Sequence, residues 1–198
     1  MYLSSAIKHF TKHQVVLFDA QPFDMDAIEV ADAAAAENPD VVGITVQTHN
    51  LVDVYAVIRR VREKLPKVHI IIGGPHCWTF PEKAIRIEGV DAILRGDGER
   101  AICEWLEALE NNSGKDKVAG IYYKDEKGEI HQNEIRHVEK ELDELPFPDR
   151  DSLPREKYYT PGMKASKTTT LITSRGCPYQ CNFCNTYQRY SVRSAKSI

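Results

Sequence analysis

An α/β fold, a doubly wound parallel sheet with helices on both faces, is what residues 1–112 predict, on three observations. Short β-branched runs alternate with helix-spaced segments of roughly 10–15 residues. The inner runs, Val41–Val46 and Val68–Ile72, are nearly continuous apolar, as in strands covered on both faces. Four loops, Asp19–Phe23, Gln47–Asn50, Gly73–Thr79 and Arg95–Glu99, follow the strands, and three are rich in Gly or small polar residues. In such sheets ligands bind at the carboxyl ends of the strands, so these loops are where a site is expected.

The elements follow in order. Tyr2, Leu3, Ala6, Ile7 and Phe10 stand at helical spacing, and Val15–Phe18 is a strand-like run. An Ala-rich helix is expected from about Asp24 to Ala36, ending before Asn38–Pro39. After strand Val41–Val46, Asn50 is placed to cap a helix carrying Leu51, Val54, Tyr55, Ile58 and Val61 on its inner face. Val68–Ile72 is the next strand, Pro81 starts a short helix to Ile87, and Asp91–Leu94 is the fourth strand. Glu99 to Leu109 is helical, with Ile102, Leu106 and Leu109 on one side. The domain opens on a helix, so a first strand is expected to be missing.

Residues 113–164 change character. Val118–Tyr123 and Glu129–Ile135 flank a polar Lys124–Gly128 turn, predicting a β-hairpin. An acidic stretch, including Glu139–Leu145, leads to the extended linker Leu145-Pro146-Phe147-Pro148. A further domain begins near residue 165, with Lys167–Thr173 as its first strand running into Ser174-Arg175-Gly176.

Charge and hydropathy exclude several function classes. Lys and Arg number 26 against 29 Asp and Glu, a net charge of -3, so no basic excess draws the chain to nucleic acid or an anionic membrane. No apolar run approaches the ~18–20 residues of a membrane helix, and the N-terminus lacks a secretory apolar core. A cytoplasmic location is expected, where the five cysteines serve as thiols or metal ligands rather than disulfides.

Cys177-Pro-Tyr-Gln-Cys181-Asn-Phe-Cys184 carries the strongest chemical signal. Three thiols within one loop suit a soft metal centre, zinc or an iron–sulfur cluster. A structural zinc site takes four protein ligands, and no His or Cys follows Cys184. Three thiolates on a cluster would leave one iron open to a small molecule. Zinc completed by a distant ligand, or cysteines with no shared role, remain the plainer alternatives.

CxxxCxxC with Phe183 before its last cysteine, after a strand ending in TSRGCP, resembles the radical S-adenosylmethionine (SAM) enzymes. The resemblance implies that Cys177, Cys181 and Cys184 bind a [4Fe–4S] cluster whose fourth iron chelates SAM, with Phe183 placing backbone near the adenine. Reductive cleavage of SAM would yield a 5′-deoxyadenosyl radical, with electrons from a flavodoxin or ferredoxin. Upstream, DVVGITVQT, IIIGGPHCWTFPEKAI and DAILRGDGERAICEWL resemble the Rossmann-like cobalamin (B12)-binding domain preceding the SAM barrel in a large subgroup. The hairpin and DELPFPDRDSL match it too. By position, Thr45 and Gln47 would line the slot for the cobalamin nucleotide, with Gly73 and Gly74 beside it. Gly96, Asp97, Gly98 and Glu99 would meet the corrin or its amides. The DxHxxG motif that donates an axial histidine elsewhere is absent, and His69 and His76 stand in other contexts. The barrel beyond the cysteine loop is expected to be missing, so the chain reads as a fragment, inactive by itself, of an enzyme acting on an unidentified small-molecule substrate, with methyl transfer favoured over cyclisation.

Plainer roles compete with each signal. Gly73-Gly74-Pro75 also suits a tight turn, and Gly96-x-Gly98 alone is weak. No GxxxxGK[ST] sequence supports a nucleoside triphosphatase. Cys77 and Cys103 read as packed thiols, His76 as a loop residue, and His9, His13, His131 and His137 as solvated. A non-catalytic module binding cobalamin or a partner, with a structural or vestigial cysteine loop, is the rival to the enzyme reading.

Overall fold

The computed structural model describes residues 1–136, 142–158, 169–184 and 190–197. In chain order these form α1 (Tyr2–Phe10), α2 (Ala27–Ala36), β1 (Val41–Thr45), α3 (Leu51–Lys64), β2 (His69–Gly73), α4 (Pro75–Thr79), α5 (Pro81–Ala84), β3 (Ala92–Leu94), α6 (Glu99–Glu110), β4 (Ile121–Lys124), β5 (Ile130–Gln132), β6 (Ser174–Arg175) and β7 (Ser191–Val192). Contacts divide the chain into two compact units, residues 23–136 and residues 1–22 with the described part of 137–198.

The first unit is built on one five-stranded sheet in the order β1-β2-β3-β4-β5. β1, β2 and β3 run parallel, whereas β4 and β5 add antiparallel. The expected α/β class therefore holds, with a mixed sheet. The hairpin is not a free linker feature: a short turn lets two strands lie against β3 without a crossover helix.

Pleat alternation assigns the helices to faces. Ile70, Ile72, Ile93 and Tyr122 join Ala31 of α2 and Val54, Val57, Ile58 and Val61 of α3 in one buried cluster. On the other face Ile71 pairs with Ala92 and Ala92 with Tyr123, whose ring lies 5.3 Å from that of Trp105 on α6. Helices on both faces make the sheet doubly wound. α2 starts later than the expected Asp24, because the Asp26 carboxylate accepts from Ile28 N and Glu29 N at 2.8 and 2.9 Å. Glu29 returns the bond to Asp26 N at 3.0 Å, closing a capping box. Asn50 precedes α3 as expected, but its side chain accepts from Gln47 N at 2.9 Å instead of capping that helix.

A polar cluster closes the amino edge of the sheet. Arg62 donates to Gly89 O at 3.0 and 2.7 Å and pairs with Asp91, whose carboxylate also accepts from Ile70 N at 2.7 Å. Gly89 has a φ of +83°, and a Cβ there would come within 2.7 Å of Ile58 Cγ2. Lys124 Nζ donates to Val90 O at 2.8 Å and Ile87 O at 3.3 Å. His69 Nε2 accepts from Trp105 Nε1 at 3.1 Å, so its neutral ring carries the proton on Nδ1, toward Asp91.

In the second unit, α1 is joined to the proline-rich segment through Asp149, which takes Ser4 Oγ at 2.5 Å, Lys8 Nζ at 2.7 Å and Ser152 Oγ at 2.9 Å. Burial raises the Asp149 pKa, but the three hydrogen bonds and the Lys8 charge outweigh it, leaving the carboxyl well below the usual range. Buried Arg193 donates to Leu145 O at 2.9 Å.

Two expected strands differ. Val15–Phe18 forms none: no described strand pairs with it, and Val16 and Phe18 stay exposed, so no burial rewards the pairing. Of Lys167–Thr173, residues 167 and 168 lie outside the described residues, and 169–173 are not a strand. The described strand there is β6, which pairs antiparallel with β7. His137 and Glu139–Glu141 also lie outside the described residues.

Burial, with smaller contributions from Lys115 and Arg62, lowers the His69 pKa from 6.5, and Asp91 opposes the shift. The unfolded chain then binds the extra proton first, so stability falls as pH drops through about 6.5. Thermal melts between pH 7.5 and pH 5 are expected to show a declining Tm. His69→Gln should flatten that decline, which an unchanged slope would refute.

Candidate functional site

The parallel register aligns the strand ends. Thr45 pairs with Gly73 and Ile72 with Ile93, so the loops after β1, β2 and β3 leave the same edge. Val46 N donates to Gly73 O at 2.7 Å and His76 N to Val46 O at 3.1 Å, joining the first two loops through backbone. The buried His76 ring lies with Nδ1 3.1 Å from Thr48 Oγ1 and 5.3 Å from the Phe80 ring.

The residues expected to contact cobalamin gather here. Thr45 and Gln47 are exposed beside the end of β1. Gly74 has a φ of +99°, and a Cβ there would come within 2.9 Å of Val46 O. Its missing side chain is therefore required by the chain's own loop crossing, whatever binds above it. Gly73 has ordinary space, 3.6 Å from Leu94 Cβ. Gly96 has a φ of +99° and faces Arg136 O at 3.2 Å. Half-buried Asp97 and buried Gly98 lead into α6, whose first residue, Glu99, is also buried. A carboxylate there complements the positive end of the helix.

Arg95 is a residue that the sequence reading passed over. Its guanidinium lies 4.6 Å from the Trp78 ring centre and 5.6 Å from that of Tyr122, and Nη1 donates to Tyr122 OH at 2.9 Å. Nε is buried with no hydrogen-bond partner among the described residues. No spacing in the sequence signals this stack, because its members come from three separate elements. His49, also not singled out, is exposed on the turn at this edge. Exposed Thr45, Gln47 and Thr48, with an unsatisfied Arg95 donor, fit a large ligand bearing many amides. His76 is engaged by Thr48, and His69 stands at the opposite edge.

The cysteine loop is the second constellation. Gly176, with a φ of +77°, turns the chain out of β6 into half-buried Cys177. Cys181 and Cys184 are exposed and bracket a turn closed by Cys184 N donating to Cys181 O at 3.0 Å. Phe183, at the tip, is 93% exposed. A tetrahedral zinc would hold thiolates about 3.8 Å apart. The three sulfurs are not drawn within 4.8 Å of one another. Three thiols on one loop suit a soft metal centre, zinc or an iron–sulfur cluster, by their donor chemistry. A group that does converge, Asp125, Glu129 and His131, belongs to the β4–β5 turn: Asp125 Oδ1 accepts from Lys127 N and Glu129 N, and Oδ2 meets His131 Nε2 at 2.9 Å.

The remaining cysteines differ. Burial pushes the Cys77 thiol up to about 12. Burial, with neighbouring acids, takes Cys103 to about 11, and its Sγ donates to Glu99 O at 3.2 Å. Both are packed neutral thiols.

Comparison with known proteins agrees with this geometry. The B12 binding domain family model matches residues 1–106. A Pyrococcus horikoshii protein named as the uncharacterized methyltransferase PH0819 is 32% identical over 97% of this chain. The anaerobic magnesium-protoporphyrin IX monomethyl ester cyclase of Rubrivivax gelatinosus is 26% identical over the whole chain. The chain spans 41% and 36% of the lengths of these relatives. The cobalamin-dependent SAM radical enzyme OxsB, solved with aqua-cobalamin and SAM bound, superposes with a TM-score of 0.81 at 23% identity, covering 99% of this chain and 27% of its own. That likeness shows the fold. No described helix is long and apolar enough to cross a membrane.

Brief alkylation of the native reduced chain with iodoacetamide should label Cys181 and Cys184 first, and Cys77 and Cys103 only after unfolding. Peptide mass mapping reads the order; early label on Cys77 would contradict its burial. The unfolded thiols ionise near 9.0, while the folded ones hold their protons to about 12 and 11. Stability is therefore expected to decline as pH rises above 9.

Proposed function

The chain belongs to the B12-binding domain family, in the branch that precedes a radical SAM domain, and from that premise we propose that it serves a cobalamin-dependent radical SAM methyltransferase. The observation carrying the reading is that the family match falls on a sheet whose three loops meet at one edge, with a three-thiol loop in the same chain.

Cys177, Cys181 and Cys184 would hold the cluster irons. Exposed Cys181 and Cys184 leave the loop open to SAM, and Phe183 offers backbone beside it. When bound, a [4Fe–4S] cluster supplies the electron that cleaves SAM, and cobalamin supplies a transferable methyl group. The chain's own residues bind and orient. Thr45 and Gln47 would offer polar side chains to the nucleotide tail, the Arg95 guanidinium would donate to an amide or phosphate oxygen, and the His76–Thr48 pair holds the loop that carries them. Gly73 and Gly74 would leave room beside the bound group, while Gly96, Asp97, Gly98 and Glu99 would meet the corrin or its amides. The substrate is a small molecule with an unreactive carbon, and a flavodoxin or ferredoxin in the cytoplasm donates the electron. Methyl transfer is preferred to cyclisation because it uses both cofactors.

Anaerobic reconstitution of the reduced chain with iron and sulfide should give a brown chromophore with iron and sulfide in equal amounts. Cys181→Ala should lose it; stoichiometric zinc without chromophore would overturn the cluster assignment. Titration with hydroxocobalamin should saturate with a shifted visible spectrum, several-fold more weakly in Arg95→Ala. Absence of any spectral change would overturn the cobalamin assignment while leaving the cluster untouched.

A further inference from the structure

The turn that carries two of the three thiols brings their backbones within reach of a disulfide. Cys184 N donates to Cys181 O at 3.0 Å across Asn182 and Phe183. A four-residue turn of this kind brings its end Cα atoms within about 7 Å. Disulfides span Cα separations of about 4.4–6.8 Å, so the bridge needs at most a small adjustment. Both residues are exposed. Cys77 and Cys103 are buried, and Cys177 is half-buried outside the turn. Access and proximity thus select one pair.

We propose that Cys181 and Cys184 form a reversible redox site whose oxidation to a disulfide withdraws two sulfurs from metal binding, so that the loop accepts iron only when reduced. The oxidant class is a small-molecule disulfide. The thiolate of one cysteine attacks a sulfur of oxidised glutathione, forming a mixed disulfide and releasing one glutathione thiol. The second thiolate then attacks the protein sulfur, forming the Cys181–Cys184 bond and releasing the other glutathione thiol. Two thiol protons and two electrons leave the protein, and the small disulfide is reduced. The metal-blocking half rests on the cluster reading above, whereas the bridge does not.

The test uses the 198-residue chain. After incubation with oxidised glutathione, alkylation and peptide mass mapping are expected to find the peptide containing Cys181 and Cys184 lighter by two hydrogens. Cys177→Ser should keep this bridge, and Cys184→Ser should instead retain glutathione on Cys181. Iron uptake by the oxidised chain should fall at least tenfold and return after dithiothreitol. Persistent glutathione on Cys181 or Cys184 of the unsubstituted chain, or a dominant Cys177–Cys181 bridge, would overturn the proposal. A bridge that forms in a chain taking no iron even when reduced would sink the cluster reading and the metal-blocking claim while leaving the bridge. Iron uptake without a bridge would remove this inference alone.

Discussion

Parallel strand pairing is the constraint on which this structure depends. Because β1, β2 and β3 run the same way in register, Thr45, Gly73 and Leu94 end at one edge. Every loop that follows must leave from there, and every returning helix starts near it. The joined loops after β1 and β2 depend on that alignment: Gly74 exists to let its loop cross Val46, and His76 reaches Thr48 only because the two strands end together. A sheet slipped by one residue would turn the buried isoleucines to the wrong faces and separate these groups.

The two edges of the sheet do different work. At the amino edge, Arg62, Asp91, His69 and Lys124 saturate strand-end carbonyls and one another, so polar groups are locked by mutual hydrogen bonds. At the carboxyl edge, polar side chains such as Thr45 and Gln47 stay exposed, and Arg95 keeps an unsatisfied Nε. A buried donor without a partner is costly, so it marks a place where something outside the described residues can complete the bonding. Contrast between a closed edge and an open one is the physical support for proposing ligand binding at the latter.

Cysteine chemistry divides by burial in the same way. Cys77 and Cys103 sit where an anion would be poorly solvated, which keeps them protonated and inert. Cys181 and Cys184, on the loop after β6, are exposed instead. Reagents in solution reach these two thiols before they reach Cys77 or Cys103.

Sequence by itself determined the alternation of strands and helices, the loops at the carboxyl ends of the strands, and the spacing of the three thiols. Hydrophobic period and residue spacing are local properties, and Val41–Val46, Val68–Ile72 and CxxxCxxC display them within a few residues. Only the tertiary structure decided that the β4–β5 hairpin completes the sheet, that Val15–Phe18 stays unpaired, and that Arg95 is stacked between Trp78 and Tyr122. It also decided that Gly74 answers to Val46. These outcomes rest on contacts between residues distant in the chain, where a strand needs a partner and an arginine needs rings from other elements. No local pattern encodes which partner arrives.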